Sequence, residues 1–195
     1  MNILTDLLPT AVEVNGQEYP INSDFRACIR VILAFEDPEL TGYEKQMVML
    51  KTLYPQQPDD LQVAVQQAVK FLDGGHAGDG EDSGPQLRLY SFEKDAGFIF
   101  AAFHQTHGID LETANMHWWK FLALFMDLGA DTTFCGLTGL RKRIKTGTAS
   151  KEDRQIAREM GEAFDLPEFM TPDERSAESE FMKLLEEGKH AKANL

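Results

Sequence analysis

The stretch NMHWWKFLALFMDL (115–128) sets two adjacent tryptophans between a histidine and a lysine, then runs on through a nearly unbroken apolar series. It is either a ligand site built on His117 and the indoles or the middle of a core. On a helix turning about 100° per residue, with His117 at zero, Lys120 and Asp127 fall within an arc of about 80°. Apolar residues fill the rest. Trp118, Leu122 and Phe125 lie together, Trp119 and Met126 on another side, and Phe121, Leu124 and Leu128 beside the polar arc. A helix this apolar all round is central in a bundle or lies in a groove shared with a second molecule. On this reading His117 and Lys120 form its solvent stripe, and the segment is not a catalytic box.

Working outward, the neighbouring segments repeat the helical period. Toward the N-terminus, Ser91 caps a helix with Phe92, Ala96, Ile99 and Phe103 on one stripe, closed by Gly108. Beyond Gly129, Asp131 caps a helix with Phe134, Leu137, Leu140 and Ile144 inward. Arg141, Lys142, Arg143 and Lys145 lie near its end, where cations complement the helix dipole. Ser150 and Asp153 open a further helix to about Phe164, ended by Leu166-Pro167. Thr171-Pro172-Asp173-Glu174 then begins a last, thinly apolar one carrying Ala177, Phe181, Leu184 and Gly188. In the first third, helices are expected from Ser23-Asp24 to Asp37-Pro38, from Thr41 to Tyr54 and from Pro58 to Leu72. Their inward residues are Phe25, Cys28, Ile29, Ile32 and Phe35, then Met47, Val48, Leu50 and Tyr54, then Leu61, Val65, Ala68 and Leu72.

The exception to this pattern is AVEVNGQEYPI (11–21), where Val12, Val14, Tyr19 and Ile21 alternate around Asn15-Gly16. Both turn residues tolerate positive φ, so the spacing predicts a type I′ hairpin, with Pro20 confining its strand to an edge. Residues 73–85 hold five glycines and four acids with no aliphatic side chain larger than alanine, which reads as a solvated linker over about 73–88. A calcium loop fails there, because the third and twelfth positions from Asp73 are Gly75 and Gly84. The expected fold is mainly α, a compact multi-helix domain over 1–168 with a small N-terminal β-hairpin. A polar linker and amphipathic helix follow at 169–195.

Composition narrows the function. A net charge of −13 repels phosphate backbones and anionic lipid and favours a neutral or basic partner, so neither nucleic acid nor membrane is expected. No stretch approaches the apolar length of a membrane span, and the N-terminus lacks a leader pattern, which makes the cytoplasm the expected compartment. The two cysteines, Cys28 and Cys135, read as small buried hydrophobes in a reducing environment. His104 and His107 share a helix face, with Asp110 and Glu112 just beyond, and so suggest a metal-dependent enzyme. Yet neither HExxH nor a Glu-x-x-His pair occurs there, and imidazoles at a helix C-terminus have a dipole reason to be present. No nucleophile elbow or phosphate loop is present. The expectation is a non-enzymatic protein with no cofactor and no metal.

MNILTDLLP, VNGQEYPINSDFR, FEKDAGFIFAAFHQTHGIDL and above all HWWKF together resemble the bacteriophage "gene product fifteen" family of tailed phages and prophages of Gram-positive bacteria. The resemblance covers residues 1 to about 168. It implies a protein of tail morphogenesis, encoded where tail assembly chaperones are found and binding the tape-measure protein, with other tail-assembly proteins as further partners, in the host cytoplasm; self-association is a separate expectation, from the all-round apolar helix at 115–128. The resemblance carries no catalytic residues. A minor structural or adaptor component of the tail is the alternative. For a chaperone, the helices at 91–107 and 115–128 would supply the apolar floor, with Phe103, Trp118, Trp119 and Phe125 as candidate partner-binding anchors.

Overall fold

Seven helices and one hairpin make up the described residues, 2–75 and 87–166, of the computed structural model. The hairpin pairs β1 (Ala11–Val14) with β2 (Gln17–Pro20) antiparallel, Val12 opposite Tyr19. Asn15 and Gly16 take φ of 51° and 82°, the two positive values that a type I′ turn needs. Val14, Tyr19 and Ile21 are buried, and Asn15 Nδ2 donates to Asp60 Oδ2 at the start of α3, so the hairpin lies against that helix.

Three helices follow: α1 (Phe25–Glu36), α2 (Gly42–Leu53) and α3 (Leu61–Leu72). Each starts where a side chain accepts from an otherwise orphan N–H. Asp24 bonds Arg26 N, Thr41 and Glu44 form a capping box, and Asp60 takes the amides of Gln62 and Val63. Their inward faces differ in part from expectation. Val31 and Met49 are fully buried, whereas Phe35 is exposed, and α3 turns Ala64, Ala68 and Phe71 inward while Leu61 is exposed. The small side chains of Ala64 and Ala68 leave room beside Phe71 on that face for a neighbouring side chain to reach the helix backbone. Tyr54 O–H, for example, donates to the Ala64 carbonyl at 2.7 Å.

The second group comprises α4 (Ala96–His107), α5 (Trp118–Met126), α6 (Thr133–Lys145) and α7 (Lys151–Met160), the last running into a 3₁₀ turn at Gly161–Ala163. Ser91 does cap as expected: its Oγ accepts from Glu93 and Lys94 amides, but what it starts is a turn ahead of the α-helix proper. Gly108 closes α4 with φ of 66°. Thr132, not Asp131, caps α6. The two groups meet where α5 packs on α1, and one ring dominates that contact. Phe121 is fully buried and stacks on Phe25, Phe103, Trp118 and Phe125, with centroids 4.8 to 5.9 Å apart.

Two surface readings are corrected by burial. Arg141 is not part of the solvated basic end of α6, because its side chain is 1% exposed and paired with Asp95, which is wholly buried. Its five N–H groups reach Asp95 Oδ1 and Oδ2 and the carbonyls of Leu89, Ala163 and Phe164. The guanidinium thus ties α4, the segment before it and the end of α7 together. A buried cation persists only when paired and bonded in this way. His117 is likewise no member of a solvent stripe, as its contacts show below. The expected helix at 171–188, the stop at Pro167 and the centre of the linker, 76–86, lie outside the described residues.

Candidate functional site

The HWW and DFR motifs meet at a single junction. His117 is the N-cap of α5: Nδ1 accepts from Trp119 N at 3.0 Å, while Nε2 donates to the Pro9 carbonyl at 2.9 Å. Both bonds require a neutral imidazole with its proton on Nε2. Trp118 N donates to Ser23 O and Phe25 N to Met116 O, a short antiparallel bridge that laces the starts of α5 and α1. Arg26 then closes over Phe25 and donates to the carbonyls of Leu111, Glu112 and Ala114.

The indoles complete the junction on its other side. Trp118 Nε1 donates to Leu72 O and Trp119 Nε1 to Phe71 O, each at 2.8 Å. Those carbonyls belong to the last turn of α3, where a helix leaves four acceptors without intrahelical partners. Gly74 and Gly75 finish that terminus with bonds to Phe71 O and Lys70 O, the paired geometry of a left-handed C-cap. A Cβ on Gly75 would stand 2.5 Å from the Trp119 ring, so glycine is required there both for its φ of 81° and for the indole's approach.

The four candidate anchors therefore separate. Phe103 and Trp118 are fully buried and Phe125 is 7% exposed, all within the aromatic stack. Trp119 alone is half-buried, at the edge of an open apolar trough. One lobe of about 700 Å³ runs from Ile3 and the end of α3 along Trp119, Leu122 and Met126 of α5. A second, of about 620 Å³, continues over Ile32, Leu87, Leu89 and Phe125 to Phe134 and Thr138 of α6. Ile32, Tyr90, Phe92 and Met126 line both, so the two form one continuous surface. Met126 is 84% exposed, and Leu87 and Ile3 about half exposed, at 44% and 50%.

These trough residues are the ones that the sequence reading did not single out. The signal for Met126 was available, since it falls on the same side of the helical wheel as Trp119. What hid it was the number of apolar positions on that helix. Tyr90, Leu87 and Ile3 lie outside regular helices, where no periodicity marks a face.

The rim carries charge but no reactive constellation. Glu36 accepts from Ser91 Oγ at 2.8 Å and pairs with Arg88 at 3.1 Å, and its charge, after burial, helps push the Tyr90 phenol above its ordinary range. Lys145 Nζ donates to Arg88 O, which places Arg88 and Lys145 together at the α6 end of the trough. His104 is exposed, and His107 donates from Nε2 to Leu124 O at 2.9 Å, tying α4 to α5. Among the described residues no three His, Cys, Asp or Glu side chains stand close enough to hold a metal ion. Burial pushes the Cys28 thiol up to about 12, which suits an inert core cysteine rather than a nucleophile. Among the described residues, no helix is long and apolar enough to cross a membrane.

Comparison with known proteins fits this description to a family. Residues 4–166 match the family described as Bacteriophage Gp15 protein, and the chain belongs to that family. No curated protein and no solved structure matches it.

Proposed function

We propose that this phage protein is a tail assembly chaperone, acting in the host cytoplasm, that holds apolar helical segments of the tape-measure protein in the trough beside Trp119 and Met126. The observation that carries the reading is the trough itself. A soluble monomer rarely leaves a long, methionine-bearing apolar surface open unless it serves an interaction, and an amphipathic client helix laid in a groove is a recurring use of such a surface. The net charge of −13 supports the same role, because it keeps a complex with an aggregation-prone, neutral or basic client in solution. Trp119 forms one wall of the trough while its indole N–H stays bonded to α3, so an anchor there is already ordered before a client arrives. Phe103 acts from behind, by holding α5 in place, while the buried Trp118 and Phe125 form part of the trough's floor.

Co-expression with the tape-measure protein tests this. The client is expected in the soluble fraction with the wild-type chain and in the pellet with Met126→Asp. That substitution lies at an exposed position, where stability changes are usually within about 0.5 kcal/mol. A client equally insoluble with and without the wild-type chain would sink the chaperone reading. A client equally soluble with Met126→Asp would remove the trough from it.

A further inference from the structure

We propose that two copies of this chain pair through the outer face of α4, antiparallel and about a two-fold axis that passes beside Ala101. Among the seven described helices α4 alone carries no Asp, Glu, Lys or Arg. Its inner side, Ile99, Ala102 and Phe103, is buried in the core, but its outer side is open: Phe100 is 43% exposed, with Ala101 and His104 exposed beside it. In a chain that is 26% charged, an exposed helix face without one charge needs a reason. These residues belong to FEKDAGFIFAAFHQTHGIDL (92–111), and none of them lines either lobe of the trough. Neither the core nor the proposed client site accounts for them.

Charge and spacing identify the occupant. A net charge of −13 makes two copies repel over most of their surface, so an uncharged face is where they can approach. The two ends of that face carry opposite charges. Lys94, exposed just before α4, has no acidic partner among the described residues, and the Asp110 carboxylate, just past Gly108, accepts from the Glu112 amide and the Thr113 hydroxyl. Antiparallel pairing sets Lys94 of each copy toward Asp110 of the other, whereas parallel pairing would set like against like. The same register brings Phe100 of one copy to His104 of the other, because both residue pairs are centred on the turn at Ala101 and Ala102. Gly97 leaves the backbones room to close around those rings. A Cβ there would meet nothing within 4 Å in the single chain, so the monomer does not require glycine at a position where it weakens the helix.

The contact is weak by its size and its rim. One helix face per copy falls below the area of about 1,200 Å² at which standard interfaces begin, and the exposed Glu93 and Glu112 repel across the rim, so pairing depends on concentration. It leaves both troughs open. If each receives the client, as proposed above, a dimer grips two segments of one long chain at once. That consequence rests on the chaperone reading, whereas the pairing does not.

Sedimentation velocity of the full-length chain, with no client present and over roughly 10 μM to 1 mM, reads the pairing directly. The wild type is expected to shift from monomer toward dimer and no further. Ala101→Glu, a good helix former at an exposed position, is expected to stay monomeric throughout, with an unchanged thermal transition to show that it is folded. Lys94→Glu and Asp110→Lys should each weaken association at least fivefold, and an equimolar mixture of these two variants should recover it, since every facing pair is then opposite in charge. A wild type that stays monomeric across the range overturns the proposal, as does an Ala101→Glu variant that dimerises like the wild type. A mixture no better than its components overturns the antiparallel register. A chaperone assay that fails leaves these measurements untouched.

Discussion

Replacing Asp95 by alanine is expected to remove roughly 3–5 kcal/mol of folding stability, because it leaves a buried guanidinium without its counter-ion. The magnitude follows from the geometry. Asp95 and Arg141 are 0% and 1% exposed, and two bonds of 2.6 and 3.0 Å join them in a fork that no rearrangement to solvent can replace. A domain's whole stability is about 5–15 kcal/mol, so the loss is a large share of it. Arg141→Met breaks the same pair, leaving Asp95 as the buried unpaired charge, and in addition removes the bonds to Leu89, Ala163 and Phe164, each from a charged donor and worth about 1.5–3 kcal/mol. Urea unfolding followed by tryptophan fluorescence and by circular dichroism measures the first effect, and coincident transitions check two-state behaviour. Amide exchange separates the second. Residues 151–164 should lose protection in Arg141→Met and retain more of it in Asp95→Ala, where the carbonyl bonds survive. A cost below about 1 kcal/mol for Asp95→Ala, the level of an exposed pair, would refute the reasoning.

Three further outcomes follow from the same contacts. Trp118→Ala should cost about 3–5 kcal/mol, as for a large buried ring, and Trp119→Ala only about 1–2, chiefly its bond to Phe71 O, so equal shifts in urea midpoint would contradict the assignment of one indole to the core and one to the trough. The Arg143 guanidinium and the Ser150 amide beside Asp153 hold its carboxyl down at about 2, below its ordinary 3.8. A depressed carboxylate stabilises above its unfolded pKa and loses that contribution as pH falls through the folded one, so helicity at the start of α7 should fade between about pH 4 and pH 2. Arg143→Gln should flatten that response, which amide exchange across 151–160 can follow. Finally, Cys28, with its thiol pushed up to about 12, should resist iodoacetamide at pH 8 by a factor on the order of a hundred relative to the unfolded chain. Rapid labelling of the native protein would show that the site opens.

How far the sequence disclosed the fold depended on how local the governing interaction was. The hairpin, the starts at Thr41 and Ser150, and the stop at Gly108 were legible because each is settled by residues within one turn, whereas the caps of α1 and α3 fall on Asp24 and Asp60, one and two residues beyond the expected starts at Ser23 and Pro58. Arg141 was not legible. It lies among three other cations on the sequence, and its partner Asp95 is 46 residues away, so only the packing of α6 against α4 could single it out. His117 failed for a related reason. At zero on the helical wheel it sits near the inward residues Phe121 and Leu128, yet a polar side chain beside Lys120 reads as solvated until Pro9, 108 residues distant, arrives as its partner. The trough was half legible: Trp119 was named, while its floor of Leu87, Tyr90 and Ile3 came from segments without periodicity.

Within the motifs that carry the family resemblance, the polar groups and the apolar side chains that line the trough have different tasks, and the hydrogen bonds show why. Asp24 and His117 are engaged as caps, Arg26 by three carbonyls, and both indole N–H groups by the end of α3. To recognise a ligand with any of these atoms, the chain would have to release a bond that holds α1, α3 and α5 together. Under the proposed function, recognition falls to side chains with no such duty: Met126, Leu122 and Leu87, together with the exposed face of Trp119. Substitutions at the junction should alter stability and binding together, whereas Met126 and Leu87 can change while the junction stays intact. Selectivity for one client over another is then set by the size and shape of a few apolar side chains on a fixed frame. Such discrimination amounts to only about 1–3 kcal/mol per methylene-sized difference. On the chaperone reading proposed above, such a surface would accept many helical segments of one long client, and a client that resisted every substitution at Met126 and Leu87 would refute it.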